Sequence, residues 1–194
     1  MNDSDILMVG AGGHAKVIAE LLGDKVKAYS DNVEVSWLQA EYLGSDDTAL
    51  KKLLPNSFVM GLGGSRWEEL ERRMKIFHRY LKSGRKAPFI CHPTAIISQS
   101  AQIDQGATIL AGAIVQPNVC IGQAAIINTG AIVEHDTHIG AGSHIAPGSI
   151  VLGGASIGRC AMIGAGAVVL PQSKVENLKT ISANTLFHSK ESLL

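Results

Sequence analysis

The sequence predicts two folds in one chain of 194 residues: a small α/β module over 1–87, then a parallel β-helix over 88–182, with a short tail at 183–194. Three observations predict it. A glycine-rich turn, GAGG, follows an apolar run near the N-terminus and opens a helical pattern. Ile or Val returns at every sixth residue from Ile97 to Ile181. Composition changes around 88–93: most charged residues and both tryptophans come before it, and Ile, Val, Ala and Gly dominate after it.

In chain order, residues 5–9 (DILMV) read as a buried strand. In GAGGHAKVIAELL, Gly10, Gly12 and Ala15 satisfy G-x-G-x-x-A, and Val17, Ile18, Leu21 and Leu22 continue at helical spacing. A strand is expected at 26–29, and Asp31 follows about 20 residues after the glycines, the spacing of a βαβ unit with a phosphate-cradling turn at a helix N-terminus. A second helix is expected at 46–54 and a third strand at 57–60. A second glycine turn, Gly61 to Gly64, comes next, with Ser65 placed to cap a helix running to about Leu81. Three readings of the glycines stand at this point: packing alone, a nucleotide-sugar site, or NAD. About 85 residues is half a dinucleotide fold and suits one nucleotide better than two.

The second half is a repeat. The fifteen positions reached in steps of six from Ile97 are all Ile or Val, and the position four places after each is small or β-branched until Lys179. A helix cannot use a period of six, because its apolar residues would wander around the surface. A hexapeptide β-helix can: each hexad supplies one short strand and one turn, and three hexads close an 18-residue coil. The large aliphatic fills the centre and the small residue fills the corner. Fifteen hexads make about five coils, each buried only by its neighbours.

Lys plus Arg and Asp plus Glu are both 17, so nothing marks an electrostatic nucleic-acid or membrane-surface binder. No apolar run approaches the roughly 20 residues of a bilayer span. Acids stand where a signal peptide carries basic residues, so a cytoplasmic protein is expected. Cys91, Cys120 and Cys160 are few and widely spaced, as in a reduced protein, and carry no expected chemistry.

The GAGGHAK turn, the CHPTA entry to the repeat and NTGAIVEHD in its middle together resemble the NeuD/PglD-type sugar acetyltransferases, within the hexapeptide-repeat acyltransferases. The resemblance covers nearly the whole chain. It implies a left-handed solenoid, a homotrimer, and acetyl-CoA bound in the cleft between adjacent prisms. It further implies transfer of an acetyl group to the amine of a nucleotide-linked sugar, with UDP the expected nucleotide, for bacterial surface glycans. Gly12, Gly13 and His14 would approach the phosphates, Asp31 the base or ribose, and the turn with Gly63, Ser65 and Arg66 would lie close by. His144, Gly153, Met162 and Ala165 would serve the cofactor.

The stretch 130–145, GAIVEHDTHIGAGSHI, holds His135, His138 and His144 with Glu134 and Asp136. On the hexad frame Val133 and Ile139 point inward, while His138 and His144 take the last place of successive hexads and so lie on neighbouring faces. They do not converge as zinc ligands would within one chain, and no metal is expected. Acetyl transfer to an amine needs a base, and imidazole titrates in the right range. Resemblance selects Asp136 as the partner of His135, with Glu134 and Asn128 as sugar contacts. Gly153 lies one coil after His135, and the resemblance implies that its N–H holds the thioester carbonyl. His138 receives no role beyond the surface or a trimer interface. The C-terminal ISANTLF departs from the family's Gly-Asn-Pro-Ala-like ending and keeps only Asn184. O-acetylation of a sialic acid or similar sugar, and a non-catalytic or metal-dependent β-helix, are the alternative readings.

Overall fold

The computed structural model describes residues 5–52 and 55–189. The chain divides into two compact units, one of residues 1–63 with 75–88 and one of 64–74 with 89–194. One division falls after Pro88, and the stretch 64–74 belongs with the repeat. Its side chains pack there, a tertiary fact no linear boundary can express.

In the first unit, β1 (Ile6–Val9), β2 (Val26–Ser30), β3 (Glu41–Tyr42) and β4 (Ser57–Met60) form one parallel sheet in the order β3-β2-β1-β4. All four residues of central β1 are buried, which is why it reads as an unbroken apolar run rather than an alternation. Helix α1 (Gly13–Leu22) buries Ala15 and Ile18 and ends at Gly23, in the left-handed region at φ 54°. The helix expected at 46–54 is a single turn, α2 (Asp46–Ala49), and positions 53–54 lie outside the described residues. Helix α3 spans Trp67–Lys82. Its Phe77 and Tyr80 stack on Phe58 at ring separations of 5.5 and 5.3 Å. The Tyr80 hydroxyl also meets Ser30 Oγ and Asp46 Oδ1, each at 2.9 Å, so burial comes with satisfied hydrogen bonds.

The two glycine turns meet back to back. A Cβ on Gly61 would sit 2.2 Å from the Gly10 carbonyl oxygen and 2.9 Å from the Ala15 Cβ, and Gly10 itself has φ 91°. The third position of G-x-G-x-x-A is small because a second turn presses on it.

In the second unit, two-residue strands pair in parallel with a register of 18, as in Ile127 with Ile145 and Val133 with Val151. They build the three-sided prism of a left-handed β-helix. The first face runs from Ile90–Cys91 to Thr180–Ile181, the second from Ile96–Ile97 to Leu186–Phe187, and the third from Gln102–Ile103 to Lys174–Val175. The strand Leu186–Phe187 carries the solenoid five residues past 182. Ile109, Ile127, Val133, Ile139, Ile145 and their hexad equivalents fill the axis. Corner fillers Ser143 and Ser149 are fully buried and donate to the Gly140 and Ala146 carbonyls, each at 2.7 Å.

A second rhythm accompanies the aliphatic one. The fourth residue of every hexad from Gly106 to Asn184 has positive φ, between 50° and 71°. Half of these are glycine, and the rest include Asn118, Asp136 and Asn184, residue types that enter the left-handed region at least cost.

Residues 64–74 cover the first face. Arg73 is buried and donates to the Ala124 carbonyl, and Glu71 pairs with Arg159 at 3.1 Å. Burial draws the Arg73 guanidinium down to about 10.

Candidate active site

Asp136 occupies the left-handed place of its hexad, at φ 59°. That backbone folds its carboxylate back on the preceding residue, and Oδ2 lies 2.8 Å from Nδ1 of His135. In the neutral ring the bond assigns the tautomer: Nδ1 donates to the carboxylate, and Nε2 keeps a lone pair. Both side chains are more than half exposed, at 62% and 57%, so the pair is open to a ligand. The bond to His135, and after it one from Asn118, hold the Asp136 carboxyl below the usual aspartate range.

Gly153 stacks on the other side of the ring, one coil later. A Cβ there would be 2.8 Å from His135 Nε2 and 2.8 Å from Cε1. The next residue, Gly154, donates its N–H to the His135 carbonyl at 2.9 Å and fixes the coil spacing. No hydrogen bond from the Gly153 N–H forms among the described residues. A base with a free lone pair and a backbone donor beside it is the minimum kit for acyl transfer. Glu134 lies at the same corner, and its N–H donates to Val151 O at 2.8 Å.

His144 is placed differently. It is on the first face and only 8% exposed, with Nδ1 donating to the Gly64 carbonyl at 2.7 Å. Nε2 accepts from Asn128 Nδ2 at 2.9 Å. The amide orientation is consistent, because Asn128 Oδ1 accepts from the Thr129 N–H at 2.8 Å. Burial depresses the pKa of His144, the hydrogen bond to Gly64 opposes it, and the charge of Arg73 adds a smaller push downward. The two residues expected to face cofactor and sugar are thus bonded to each other. Met162 is next to His144 on that face, 8% exposed, and Ala165 is exposed at the corner between the first and second faces. His138 points outward from the third face between Cys120 and Ser156. Among the described residues, no group of three or more His, Cys, Asp or Glu is placed to hold a metal.

In the first unit, Gly12 caps α1 and Gly13 opens it; a Cβ on either would meet nothing within 4 Å, so the helix N-terminus is open to an anion. Gly63 passes close to His14, at 3.2 Å from its Cβ for an added methyl group. Asp31 braces the turn: Oδ2 accepts from the Ala11 N–H at 2.7 Å and Oδ1 from the Asn32 N–H at 2.7 Å. Ser65 does not cap α3 with its own oxygen. Its N–H and hydroxyl both donate to Glu69 Oε2, at 2.7 and 3.0 Å, the acid four residues on reaching back to the turn ahead of the helix. Arg66 is exposed, 3.7 Å from Glu69.

Sequence reasoning missed Asn118, whose Nδ2 donates to Asp136 Oδ1 at 3.1 Å. The signal was present as the 18-residue interval between them. It also missed that Gly64 binds His144, a contact across 80 positions that no period announces.

Residues 5–79 match the PglD N-terminal domain, and residues 136–171 match the bacterial transferase hexapeptide (six repeats). A variant of perosamine N-acetyltransferase from Caulobacter crescentus, in complex with CoA and GDP-perosamine, is similar over 95% of this chain and 89% of that one, at 29% identity and TM-score 0.86. The acetyltransferase domain of PglB from Neisseria gonorrhoeae, in complex with acetyl coenzyme A, is similar over 96% of this chain and 91% of that one, at 31% identity and TM-score 0.85. WeeI from Acinetobacter baumannii, at 19% identity and TM-score 0.60, shares the fold. No curated protein matches.

Proposed function

The chain belongs to the NeuD/PglD-type sugar acetyltransferases, and on that premise we propose that it acetylates the amine of a nucleotide-linked amino sugar, with His135 as the base. It is an acyltransferase, and acetyl-CoA is its co-substrate. The observation that carries the reading is the His135–Asp136 bond at 2.8 Å, with Nε2 left free against the Gly153 backbone.

The chemistry follows from that geometry. As the amine nitrogen bonds to the thioester carbonyl carbon, Nε2 takes its proton, and Asp136 stabilises the imidazolium that forms. The Gly153 N–H supports the charge that gathers on the carbonyl oxygen. When the carbon–sulfur bond breaks, the proton held at Nε2 passes to the thiolate. The open N-terminus of α1 at Gly12 and Gly13 serves the diphosphate of the sugar, and Asp31 holds that turn in shape. A diphosphate cradle does not distinguish bases, so UDP, expected from the sequence, is set against GDP in the assay. Activated sugars and acetyl-CoA are both cytoplasmic metabolites, in keeping with the expected location.

The partner in this reading is a second copy. Facing outward, the second face carries Ile96, Ile114, Ile132, Ile150, Val168 and Leu186, one per coil. At about 4.8 Å per strand this is an apolar stripe roughly 24 Å long. Ile96 and Leu186 are 64% and 68% exposed. The first face is covered by residues 64–74, and the third carries Gln102, Cys120, His138, Ser156 and Lys174. His135 and Gly153 border the stripe on one side, and Asn128 and Ala165 border it on the other. A cyclic trimer seated on it lays one copy's base beside its neighbour's Asn128 edge.

The test is an acceptor panel. Acetyl-CoA is incubated with UDP- and GDP-linked amino and hydroxy sugars, and thiol release is followed. Amino sugars are expected to react, and His135→Ala to lose about 10²–10⁴-fold in kcat. Turnover of hydroxy sugars alone would overturn the amine assignment, and full activity of His135→Ala would overturn the base.

A further inference from the structure

We propose that Asn118 is a positioning residue for the base: its side-chain amide holds the Asp136 carboxylate in the orientation that serves His135. The proposal rests on the reading of His135 given above.

Asn118 and Asp136 occupy the same place in successive coils, 18 residues apart, with φ 60° and 59°. Identical backbone at stacked turns sends the two side chains off in the same direction. Asn118 Nδ2 reaches Asp136 Oδ1 at 3.1 Å, while Asp136 Oδ2 is 2.8 Å from His135 Nδ1. The carboxylate is therefore held at both oxygens. An exposed aspartate held at one oxygen would rotate, and the tautomer and direction of the imidazole would loosen with it. Asn118 is itself anchored, its N–H donating to Ser100 Oγ at 3.1 Å. On the turn that stacks after Asp136, the matching residue is Gly154, which has no side chain to offer. Among the described residues, the amide of Asn118 is the one on the stacked turns placed to steady the acid.

The residue type matters as well as its position. An amide donates without adding charge. The turns before and after His135, at 116–119 and 152–155, carry no charged residue, so Glu134 and Asp136 on its own turn, with His138 beyond them, are the titratable groups at this corner. A carboxylate in place of the amide would lie against Asp136, repel it, and favour the protonated imidazole.

Two substitutions keep the left-handed backbone and so keep the fold. Asn118→Gly removes the amide; Asn118→Asp replaces the donor with a charge. With acetyl-CoA and the reactive amino sugar of the panel, Asn118→Gly is expected to lower kcat roughly three- to tenfold, the size of one ordinary hydrogen bond in water, with KM for acetyl-CoA unchanged. Asn118→Asp is expected to move the acid limb of the kcat/KM profile to higher pH. Parent values of kcat and an unmoved limb in both variants would overturn the proposal. So would a loss in Asn118→Gly that follows a lowered Tm and is restored in Asn118→Asp with the limb unmoved, the mark of a merely structural residue. His135→Ala, run alongside, separates the levels: activity kept there overturns the base itself.

Discussion

At the scale of single residues, His135 and His144 do opposite things. His135 is exposed, with one nitrogen committed and one free; His144 is buried, with both committed. Gly153 is the residue on which the first depends. Gly153→Ala places a methyl group 2.8 Å from His135 Nε2, so the ring must turn away. The expected result is a fall in kcat of about tenfold or more, with Tm nearly unchanged, read from steady-state kinetics and thermal melts. His144 carries a pH prediction. Its folded pKa lies below its unfolded one, because burial disfavours the charged ring. Protonation must also displace the Asn128 N–H from Nε2, since Nδ1 already donates. Its contribution to stability is therefore full above the ordinary histidine value near 6.5, and is lost as pH falls through that value toward the folded one. Tm measured from pH 7.5 to 5.5 is expected to fall more steeply in the parent than in His144→Asn. Parallel slopes would contradict the assignment.

At the scale of the element, the hexad carries two glycine rules that act through different physics. Glycine at the fourth place answers to φ: Gly148 has φ 64° and open space around it. Glycine at the second place answers to room: a Cβ on Gly158 would sit 2.4 Å from the Asn177 amide nitrogen, on the next coil's backbone. Gly148→Ala is expected to cost about 1 kcal/mol, the strain of a left-handed alanine. Gly158→Ala is expected to cost at least about 3 kcal/mol, because backbone cannot move aside as a side chain does. Urea unfolding of the two variants compares them, and equal midpoints would refute the distinction. The aliphatic period and the glycines of the second place were legible in the sequence. The fourth-place rhythm was equally present and was obscured by its mixed chemistry: Gly, Asn, Asp, Ala, Cys, Gln and Leu share a backbone angle and little else.

At the scale of the whole molecule, each face of the prism has its own surface: one covered by residues 64–74, one apolar, one polar. The outward residue of each strand decides this, and it sits one place before the aliphatic that fills the core. Ile150→Glu puts a charge in the middle of the apolar stripe without touching the core residue Val151. Light scattering is expected to show a smaller species than the parent, with the circular-dichroism spectrum retained. An unchanged mass would remove the second face as the contact between copies.

The amino-acid sequence by itself determined the solenoid, its coil length and its core. All of these follow from local spacing, because a six-residue period needs no knowledge of the rest of the chain. Spacing put an acid on each side of His135, and the family resemblance, not the spacing, selected Asp136. The sequence also placed the glycine turn ahead of α1. Tertiary structure alone decided that residues 64–74 cover the first face, that Gly64 and Asn128 commit both nitrogens of His144, and that Asp31 braces the turn at Ala11. Two of those contacts run through a backbone carbonyl and a backbone N–H, across 80 and 20 residues; every residue type carries such groups alike, so no pattern of side chains could announce them. The third joins the Asn128 and His144 side chains across 16 residues, an interval that is not a whole coil and so falls outside the repeat.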